Sequence, residues 1–366
     1  MERKAMSMKK SAATLRAEQY KNHGEAWFGG FTYTEVKGIG YEKGVHRRDP
    51  SSVLEADGIY YVWYTKSLGP HFGVSAQRNR FTKIFPWDYA DIWYAVSEDG
   101  INWEERGCAV PRGEQGDYDE RTVCTPDVME HKGKYYMVYQ TFPQSRYEED
   151  GESVGLSVAD NPNGPWKKHK ECILTKMQGG EWFGSHDNYN DGAYIGLTHD
   201  PSLFYYNGMY YLYYKCGASP LGSLKSSGQD TRWGVAVSGQ VTGPYVHSEY
   251  NPVTNSGHET MLWEYKGGIA ALLNRDGPEK DTIQYAKDGV NFEIMSHVYD
   301  TPMAGGAFRG KHNDEYPLEG IRWGLCHCDE RSSDYNYLMR FDLDNRHPYA
   351  FAHQYPGSNV KTLGWW

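Results

Sequence analysis

Short strands rich in aromatic residues, each entered through a glycine turn, recur along the chain from about residue 45 onward. Gly58, Gly133 and Gly208 stand 75 residues apart, and each is followed by a tyrosine-rich segment. The first of these segments reads Ile59-Tyr60-Tyr61-Val62-Trp63-Tyr64. Aromatic and β-branched residues bounded by turn residues are typical of β-strands. A fixed period of this kind predicts a repeat architecture.

Each repeat predicts four strands. An apolar strand residue precedes each turn glycine by five positions, and the unit ends in a Gly–aromatic hairpin such as residues 99–103. A fourth copy, residues 262–273, follows after a shorter gap, and a fifth is built from residues 320–327 and 335–341. Four-stranded units repeated around an axis form a β-propeller. The predicted fold is therefore all-β, a five-bladed β-propeller with an N-terminal helical extension, in which residues 27–33 close the last blade. The alternative is a β-sandwich, which four-stranded units with a shared terminal turn disfavour.

The chain divides into three predicted parts. Residues 1–26 form an N-terminal helical segment, because residues 6–22 are rich in good helix formers and Gly24 lies just past their end. Residues 27–345 form the propeller, and residues 346–366 form a C-terminal tail. A helix without a partner in an all-β fold is suited to docking on a second subunit. The alternative is that it packs on its own propeller.

Charge and composition exclude several classes of partner. The formal net charge is −10 and the basic runs are short, so no nucleic acid is expected. No apolar run of about 18 residues is present, so no membrane span is expected. The first residues lack the apolar core of a signal peptide, which predicts a cytoplasmic protein, or a periplasmic one if a signal was removed.

The cysteine spacing does not predict a disulfide framework. Cys326-His327-Cys328 suggests a metal site. In a strand, however, the two sulfur atoms point to one face and the imidazole points to the other. The pattern therefore favours a structural role for this tripeptide.

The start of each repeat carries the candidate chemistry. The first strand of a propeller blade lines the central channel, so residues just ahead of these strands converge at one mouth. These residues are Asp49, Thr125, Asp200 and the pair His258-Glu259. Two carboxylates and a third titratable group are typical of glycoside hydrolysis, in which one group protonates the leaving oxygen and another activates water or attacks carbon. The alternative is that the aspartates only cap turns.

At these residues the chain resembles glycoside hydrolase family 117, the α-1,3-(3,6-anhydro-L-galactosidases) or neoagarobiose hydrolases. The resemblance covers nearly the whole chain. It is carried by Ser11-x-Ala13-x-x-Arg16 and by residues 46–52, 198–201, 257–260 and 318–327. The blade pattern alone would also fit the family 43 arabinanases and xylosidases.

The resemblance implies an inverting exo-hydrolase that releases 3,6-anhydro-L-galactose from the non-reducing end of neoagaro-oligosaccharides. Asp49 would be the general base, and Asp200 would tune and orient the acid. His258 would be that acid, with Glu259 beside it either as the second candidate for the acid or as a residue that binds sugar or holds His258. A histidine acid is chemically reasonable, because its ordinary pKa of about 6.5 lies close to working pH and a neighbouring carboxylate raises it.

Five further residues are candidates for sugar binding. Trp87 is either a stacking platform or a core residue. Thr125, Gln140 and His199 are candidate partners for sugar hydroxyls. His186 lies in a polar loop that could reach the cavity.

The resemblance also implies an assembly. The helix that carries Ser11, Ala13 and Arg16 would exchange between protomers of a domain-swapped homodimer, to which the C-terminal tail would contribute. No cofactor is expected for the chemistry, but a structural divalent cation is expected near the channel, with ligands that the sequence does not assign. Of Arg47 and Arg48, one is expected to bind substrate or to pair with the neighbouring carboxylate.

Two other functions remain open at the level of sequence. The first is a related glycosidase that acts on another linkage, such as an arabinoside, a xyloside or another red-algal galactan. The second is a propeller that binds carbohydrate without catalysis.

Overall fold

Antiparallel strands make up nearly all the regular structure in the described part of the chain. The computed structural model describes residues 28–73, 76, 79, 81–144, 152–175, 198–217, 231–275, 277, 279–311, 313–316, 320–328 and 335–344. The predicted N-terminal helix with Ser11, Ala13 and Arg16, the loop with His186 and the tail 346–366 lie outside these ranges.

The strands form five blades, as the repeat predicts. Strand β1 (Phe28–Glu35) precedes the first blade. Blade one contains β2 (Val45–Arg48), β3 (Leu54–Ala56), β4 (Ile59–Leu68), β5 (Asp91–Ser97) and β6 (Glu104–Val110). Blade two contains β7 (Thr122–His131), β8 (Lys134–Phe142), β9 (Ser153–Ala159), β10 (Lys167–Lys168) and β11 (Leu174–Thr175). Blade three contains β12 (His199–Tyr206), β13 (Met209–Gly217), β14 (Thr231–Ser238) and β15 (Val246–His247).

The last two blades share one continuous sheet. Blade four contains β16 (Met261–Tyr265), β17 (Gly268–Leu273), β18 (Thr282–Ala286) and β19 (Glu293–Tyr299). Blade five contains β20 (Gly306–Ala307), β21 (Trp323–Cys328) and β22 (Tyr337–Asp344). Strand β1 pairs antiparallel with β22 and parallel with β19, so the start of the chain completes the last blade. The prediction of an all-β, five-bladed propeller is confirmed.

The glycine turns that mark the repeat are two-residue hairpin loops with positive φ at both central positions. This geometry matches the twist of paired strands and favours glycine at the second position. The loops, with their φ angles, are Asp57-Gly58 (52° and 78°), Lys132-Gly133 (53° and 73°), Asn207-Gly208 (48° and 81°) and Lys266-Gly267 (44° and 64°).

Both faces of each blade are buried, because every blade packs against two neighbours. In β4, Tyr61 and Trp63 face blade two, whereas Val62 and Tyr64 face blade five. Five apolar clusters of this kind fill the five spaces between blades. Strict alternation along a strand therefore places aromatic residues on both sides, and tyrosines such as Tyr64 serve the core.

Helical structure is minor in the described ranges, which contain a 3-10 turn at Asn313–Glu315. None of the helices found there has the length and apolar character needed to cross a bilayer. All six cysteines are free thiols.

A buried ion pair at the axis joins all five blades. Arg309, which follows β20, places Nη2 2.9 Å from Oδ2 of Asp127 in β7. Asp127 also accepts hydrogen bonds from the Ser52 amide of blade one (3.2 Å) and the Ser202 hydroxyl of blade three (2.6 Å). Arg309 Nε donates to the Leu262 carbonyl of blade four at 3.2 Å.

Replacing Asp127 should destabilise the propeller strongly. Asp127→Ala leaves the Arg309 guanidinium buried without its counter-charge, and removing one partner of such a pair typically costs about 3–5 kcal/mol of the free energy of unfolding. Denaturant titration followed by tryptophan fluorescence measures this loss. Lys134→Ala is the control, because it removes an ion pair to Asp160 that lies in solvent. Equal shifts of the unfolding midpoint in the two variants would refute the prediction that the Asp127–Arg309 pair holds the five blades together.

Candidate active site

Every blade contributes to the mouth of the central channel, and the first pocket-lining residue of each blade occupies an equivalent position. These residues are Asp49, Thr125, Asp200, Glu259 and Ala304, in blade order. All but Glu259 adopt nearly the same left-handed backbone conformation, with φ between 44° and 49°. Non-glycine residues in this region are strained, and such strain clusters at functional sites. The sequence repeat is thus reproduced in the backbone, and the predicted blade-start residues meet in one pocket.

Local irregularities in the strands aim these side chains at the channel. The ladder between β7 and β8 shifts register between Cys124 and Asp127, around Thr125. The ladder between β12 and β13 shifts between His199 and Ser202, around Asp200. Bulges of this kind commonly redirect a side chain next to an active site.

The Asp49 carboxylate is buried and held from two sides. Arg48 Nε lies 2.8 Å from Oδ2, and His327 Nδ1 lies 3.2 Å from Oδ1. Burial alone would raise the pKa of the Asp49 carboxyl, but the charge of Arg48 and the contact with His327 outweigh it and hold the pKa well below its usual range. Asp49 is therefore ionised at every pH at which the protein is expected to work.

The two neighbouring arginines have different roles. Arg48 pairs with Asp49, whereas Arg47 points away and pairs with Glu42 (2.7 Å) and Glu105 (3.0 Å). Successive residues of a strand point to opposite faces, which explains the division. The sequence left open which arginine pairs with the carboxylate, and the structure assigns that contact to Arg48.

Sequence reasoning did not identify His327 as a site residue. Cys326 and Cys328 pack in the core between blades four and five, and His327, on the opposite face of β21, reaches Asp49. The predicted alternation of Cys326-His327-Cys328 is correct and could have signalled this contact. What the sequence lacked was the knowledge that β21 lies beside β2.

The Asp200 carboxylate is also paired. Lys215 Nζ, on the next strand, lies 2.5 Å from Asp200 Oδ2, and both side chains are largely buried. The Asp200 amide donates to Gln140 Oε1 at 3.1 Å, and the Thr260 hydroxyl donates to the Asp200 carbonyl. Gln140, predicted to bind a sugar hydroxyl, therefore uses its carbonyl oxygen to fix Asp200. Lys215 is a second site residue that the sequence did not indicate.

His258 and Glu259 lie side by side at the start of blade four. His258 Nε2 is 3.3 Å from Glu259 Oε1, and the His258 amide donates to Asn274 Oδ1 at 3.4 Å. Glu259 is 8% exposed, whereas the His258 side chain retains 23% of its exposure. The imidazole is thus the more accessible of the two groups, and the carboxylate lies within contact distance of it.

Arg48 links Trp87 to Asp49. The Arg48 guanidinium stacks over the Trp87 ring at 4.7 Å, and Phe85 stacks on the same tryptophan at 4.4 Å. The loop is anchored by a fully buried ion pair of 3.0 Å between Asp88 and Arg121. Trp87 itself remains partly exposed. Trp87 is therefore fixed at a partly exposed position, and its role as a sugar platform stays a prediction.

Two other residues predicted to bind sugar hydroxyls, His199 and Thr125, make contacts within the protein. His199 Nε2 lies 2.9 Å from Glu152 Oε2, and its ring packs edge-on against Phe142. The amide of Thr125 donates to Thr65 Oγ1 at 2.8 Å, with Thr125 itself at the pocket. Their sugar-binding roles stay predictions.

The described residues do not fit a directly ligated metal ion. Within the described ranges, no three His, Cys, Asp or Glu side chains gather in a suitable arrangement. The channel carboxylates of Asp49, Asp127 and Asp200 each face a cationic side chain instead. We derive no step through a metal, and the expected structural cation stays a prediction.

Comparison with known proteins identifies the family of the chain. The family model of glycosyl hydrolases family 43 matches residues 43–184. Zg3597, a family 117 glycoside hydrolase produced by the marine bacterium Zobellia galactanivorans, is 36% identical, with 87% of this chain and 91% of that chain covered and a TM-score of 0.72. The chain belongs to glycoside hydrolase family 117. The resemblance inferred from the motifs is confirmed.

More distant structures share the propeller with this family 117 chain. A second glycoside hydrolase is 11% identical, with 92% of this chain and 96% of that chain covered and a TM-score of 0.59. CoXyl43, a family 43 β-xylosidase/α-arabinofuranosidase from a compost microbial metagenome, is 15% identical, with 85% and 94% covered and a TM-score of 0.53. At such identities the likeness concerns the fold alone. No curated protein matches the chain.

A buried histidine behind the site should make this family 117 enzyme sensitive to acid. His46 Nδ1 lies 3.1 Å from Asn336 Oδ1, the same oxygen to which Arg48 donates at 3.3 Å. Burial foremost, and then the nearby charges of Lys83, His71 and Arg48, lower the pKa of His46 from 6.5 to about 3.

The stability of the protein should therefore fall as the pH drops from about 6.5 toward 3. Over this range the unfolded chain binds a proton at His46 that the folded protein refuses, and this difference favours unfolding. In His46→Gln that part of the curve of Tm against pH should be flatter than in the wild type. His297→Gln, at an exposed histidine, is the matched control. Equal slopes for wild type and His46→Gln would refute the prediction.

Proposed function

We propose that this protein is an exo-acting, inverting glycoside hydrolase that cleaves the α-1,3 bond of neoagaro-oligosaccharides. It would release 3,6-anhydro-L-galactose from the non-reducing end. The observation that carries the proposal is the convergence of Asp49, Asp200 and Glu259 on one pocket in a family 117 chain, with His258 in contact with Glu259.

The environment of Asp49 suits a general base. Its carboxylate is ionised, as the lowered pKa requires, and it lies at the pocket beside the tryptophan platform. A water molecule held by Asp49 attacks the anomeric carbon and transfers its proton to the carboxylate. The glycosidic C–O bond breaks at the same time, and the configuration at the anomeric carbon is inverted. The proton is acidified as the water attacks an oxocarbenium-like carbon, so a weakly basic carboxylate suffices.

The leaving oxygen takes its proton from His258. The neighbouring Glu259 carboxylate, 3.3 Å away, is placed to hold the imidazole in position. Asp200 lies one blade away and is linked to the start of blade four by the Thr260 hydroxyl. This link orients the His258-Glu259 segment. The alternative acid is Glu259 itself.

We take the pair between Asp127 and Arg309 as the floor of the pocket, which supports exo-action. Asp127 lines the pocket two residues further along β7 than Thr125, and its carboxylate lies 2.9 Å from Arg309 Nη2. A pocket with a floor accepts a chain end more readily than the middle of a chain.

We also propose a homodimer in the cytoplasm, with the helix of residues 6–22 exchanged between protomers. Light scattering of the wild type and of Arg16→Ala tests the exchange. A monomeric wild type, or a variant that dimerises as tightly as the wild type, would count against it.

Incubation with neoagarobiose is the direct test of the reaction. The expected products are 3,6-anhydro-L-galactose and galactose, and NMR at early times should show the anhydro sugar first in the inverted anomeric form. A panel of arabinosides, xylosides and carrageenan-derived oligosaccharides runs in parallel. Turnover of one of these instead would redirect the assignment to another linkage. Sugar binding without any turnover would favour a carbohydrate-binding protein.

Replacing the base or the acid should abolish turnover but retain binding. In Asp49→Asn and His258→Ala, kcat should fall by about 10²–10⁴-fold, which is the usual contribution of general acid–base catalysis. Calorimetry with neoagarobiose should still detect binding. Asp160→Asn, the same chemical change at an exposed position, is the control and should leave kcat unaltered. If His258→Ala retains full activity and Glu259→Gln does not, the acid is Glu259.

A further inference from the structure

Both oxygens of the Asp49 carboxylate are occupied by side chains from different blades. Arg48 Nε, in blade one, lies 2.8 Å from Oδ2. His327 Nδ1, in blade five, lies 3.2 Å from Oδ1 and 3.3 Å from the Asp49 backbone nitrogen. The imidazole therefore meets both the carboxylate and the backbone of one residue whose φ is 47°.

His327 is held rigidly in this place. Its side chain is 1% exposed, and its backbone pairs with Leu338 in β22. On the opposite face of the strand, Cys326 and Cys328 are fully buried in the core between blades four and five. The imidazole cannot leave Asp49 without disturbing a buried strand.

Contacts to both carboxylate oxygens fix the orientation of the Asp49 carboxylate, which a single contact would leave free to rotate. The χ2 torsion of aspartate is broad, so a carboxylate held only by Arg48 can turn about that contact. When Nδ1 of His327 is unprotonated, it accepts a hydrogen bond from the Asp49 backbone N–H at 3.3 Å. When Nδ1 carries a proton, it donates across the 3.2 Å contact to Oδ1, and this second hydrogen bond sets the plane of the carboxylate. The lone pairs that remain for a water molecule then point in one direction. Catalysis depends strongly on this alignment, and a misplacement of about 1 Å can cost about 10²-fold in rate.

We propose that His327 is a positioning residue for the general base, which sets the plane of the Asp49 carboxylate and stabilises its ionised form. This inference rests on the proposed function, because it assigns His327 a part in that reaction. The other charged groups that face Asp49 are Arg48 on its own strand and, around the channel, the pairs Asp127–Arg309, Asp200–Lys215 and His258-Glu259. Arg48 contacts Oδ2 of Asp49, and His327 contacts Oδ1.

Two substitutions at one position separate the hydrogen bond from the packing. In His327→Asn the side-chain amide N–H stands near the place of Nδ1, so the donor is kept. In His327→Leu it is lost. We expect kcat of the leucine variant to fall about 10²-fold with little change in KM, because the water is misaligned while the sugar still binds. The asparagine variant should stay within several-fold of the wild type.

The pH profile is the readout that a purely structural role would not change. Loss of a donor to the carboxylate raises the pKa of Asp49. The acid limb of kcat/KM should therefore move to higher pH in His327→Leu and not in His327→Asn. Cys328→Ala, on the opposite face of the same strand, is the matched control and should lower Tm without moving that limb. Equal losses of kcat in both His327 variants, with the acid limb unmoved, would overturn the proposal.

A measurement without substrate separates this proposal from the proposed function. Carboxyl ¹³C NMR of aspartate-labelled protein, assigned with Asp49→Asn, follows the titration of Asp49 directly. If the wild type hydrolyses nothing in the sugar panel, the proposed function fails, yet a raised pKa of Asp49 in His327→Leu would still support the contact. An unchanged titration would overturn it. Should the leucine variant not fold, His327→Gln, whose N–H stands near Nε2 instead, should show the same rise.

Discussion

The ion pair between Arg309 and Asp127 keeps the five blade starts in register, and the rest of the site depends on it. Its hydrogen-bond partners lie two or three residues from the groups at the mouth: Ser52 follows Asp49, and Ser202 follows Asp200. A shift of any one blade along the axis would stretch a contact to this pair. Because apolar packing between blades is non-directional, it allows small sliding movements that a network of short polar contacts resists. The pair thus fixes the positions of the five blades along the axis, and with them the ring of side chains at the mouth.

Each carboxylate at the mouth of the channel lies beside a basic side chain. Asp49 faces Arg48, Asp200 faces Lys215, and Glu259 faces His258. The overall charge of −10 is therefore not concentrated in the pocket. A balanced pocket suits an uncharged sugar, whose hydroxyls both donate and accept hydrogen bonds.

The repeat, the blade number and the ring of blade-start residues could be predicted because they depend on local patterns. Turn glycines, aromatic strands and Asp-Pro or His-Glu steps all lie within a few residues of each other. The contacts of Arg309, Lys215 and His327 could not be predicted in this way. His327 and Asp49 are 278 positions apart, and only the pairing of strands from opposite ends of the chain brings them together. The same limit left the arginines undecided, since the face on which Arg48 lies depends on the register of β2 against β4.

The closure of blade five by β1 has a consequence for synthesis on the ribosome. Strand β1 ends at Glu35, but its antiparallel partner β22 begins only at Tyr337. Until β22 has been made, one edge of β1 is unpaired, and blade one lacks the blade-five residues against which Val62 and Tyr64 pack. Contacts of such long sequence separation form slowly, because the intervening chain must be ordered first. The nascent protein must therefore keep β1 from pairing with other chains while blades one to four are made, and a chain that stops before β22 would expose that edge permanently.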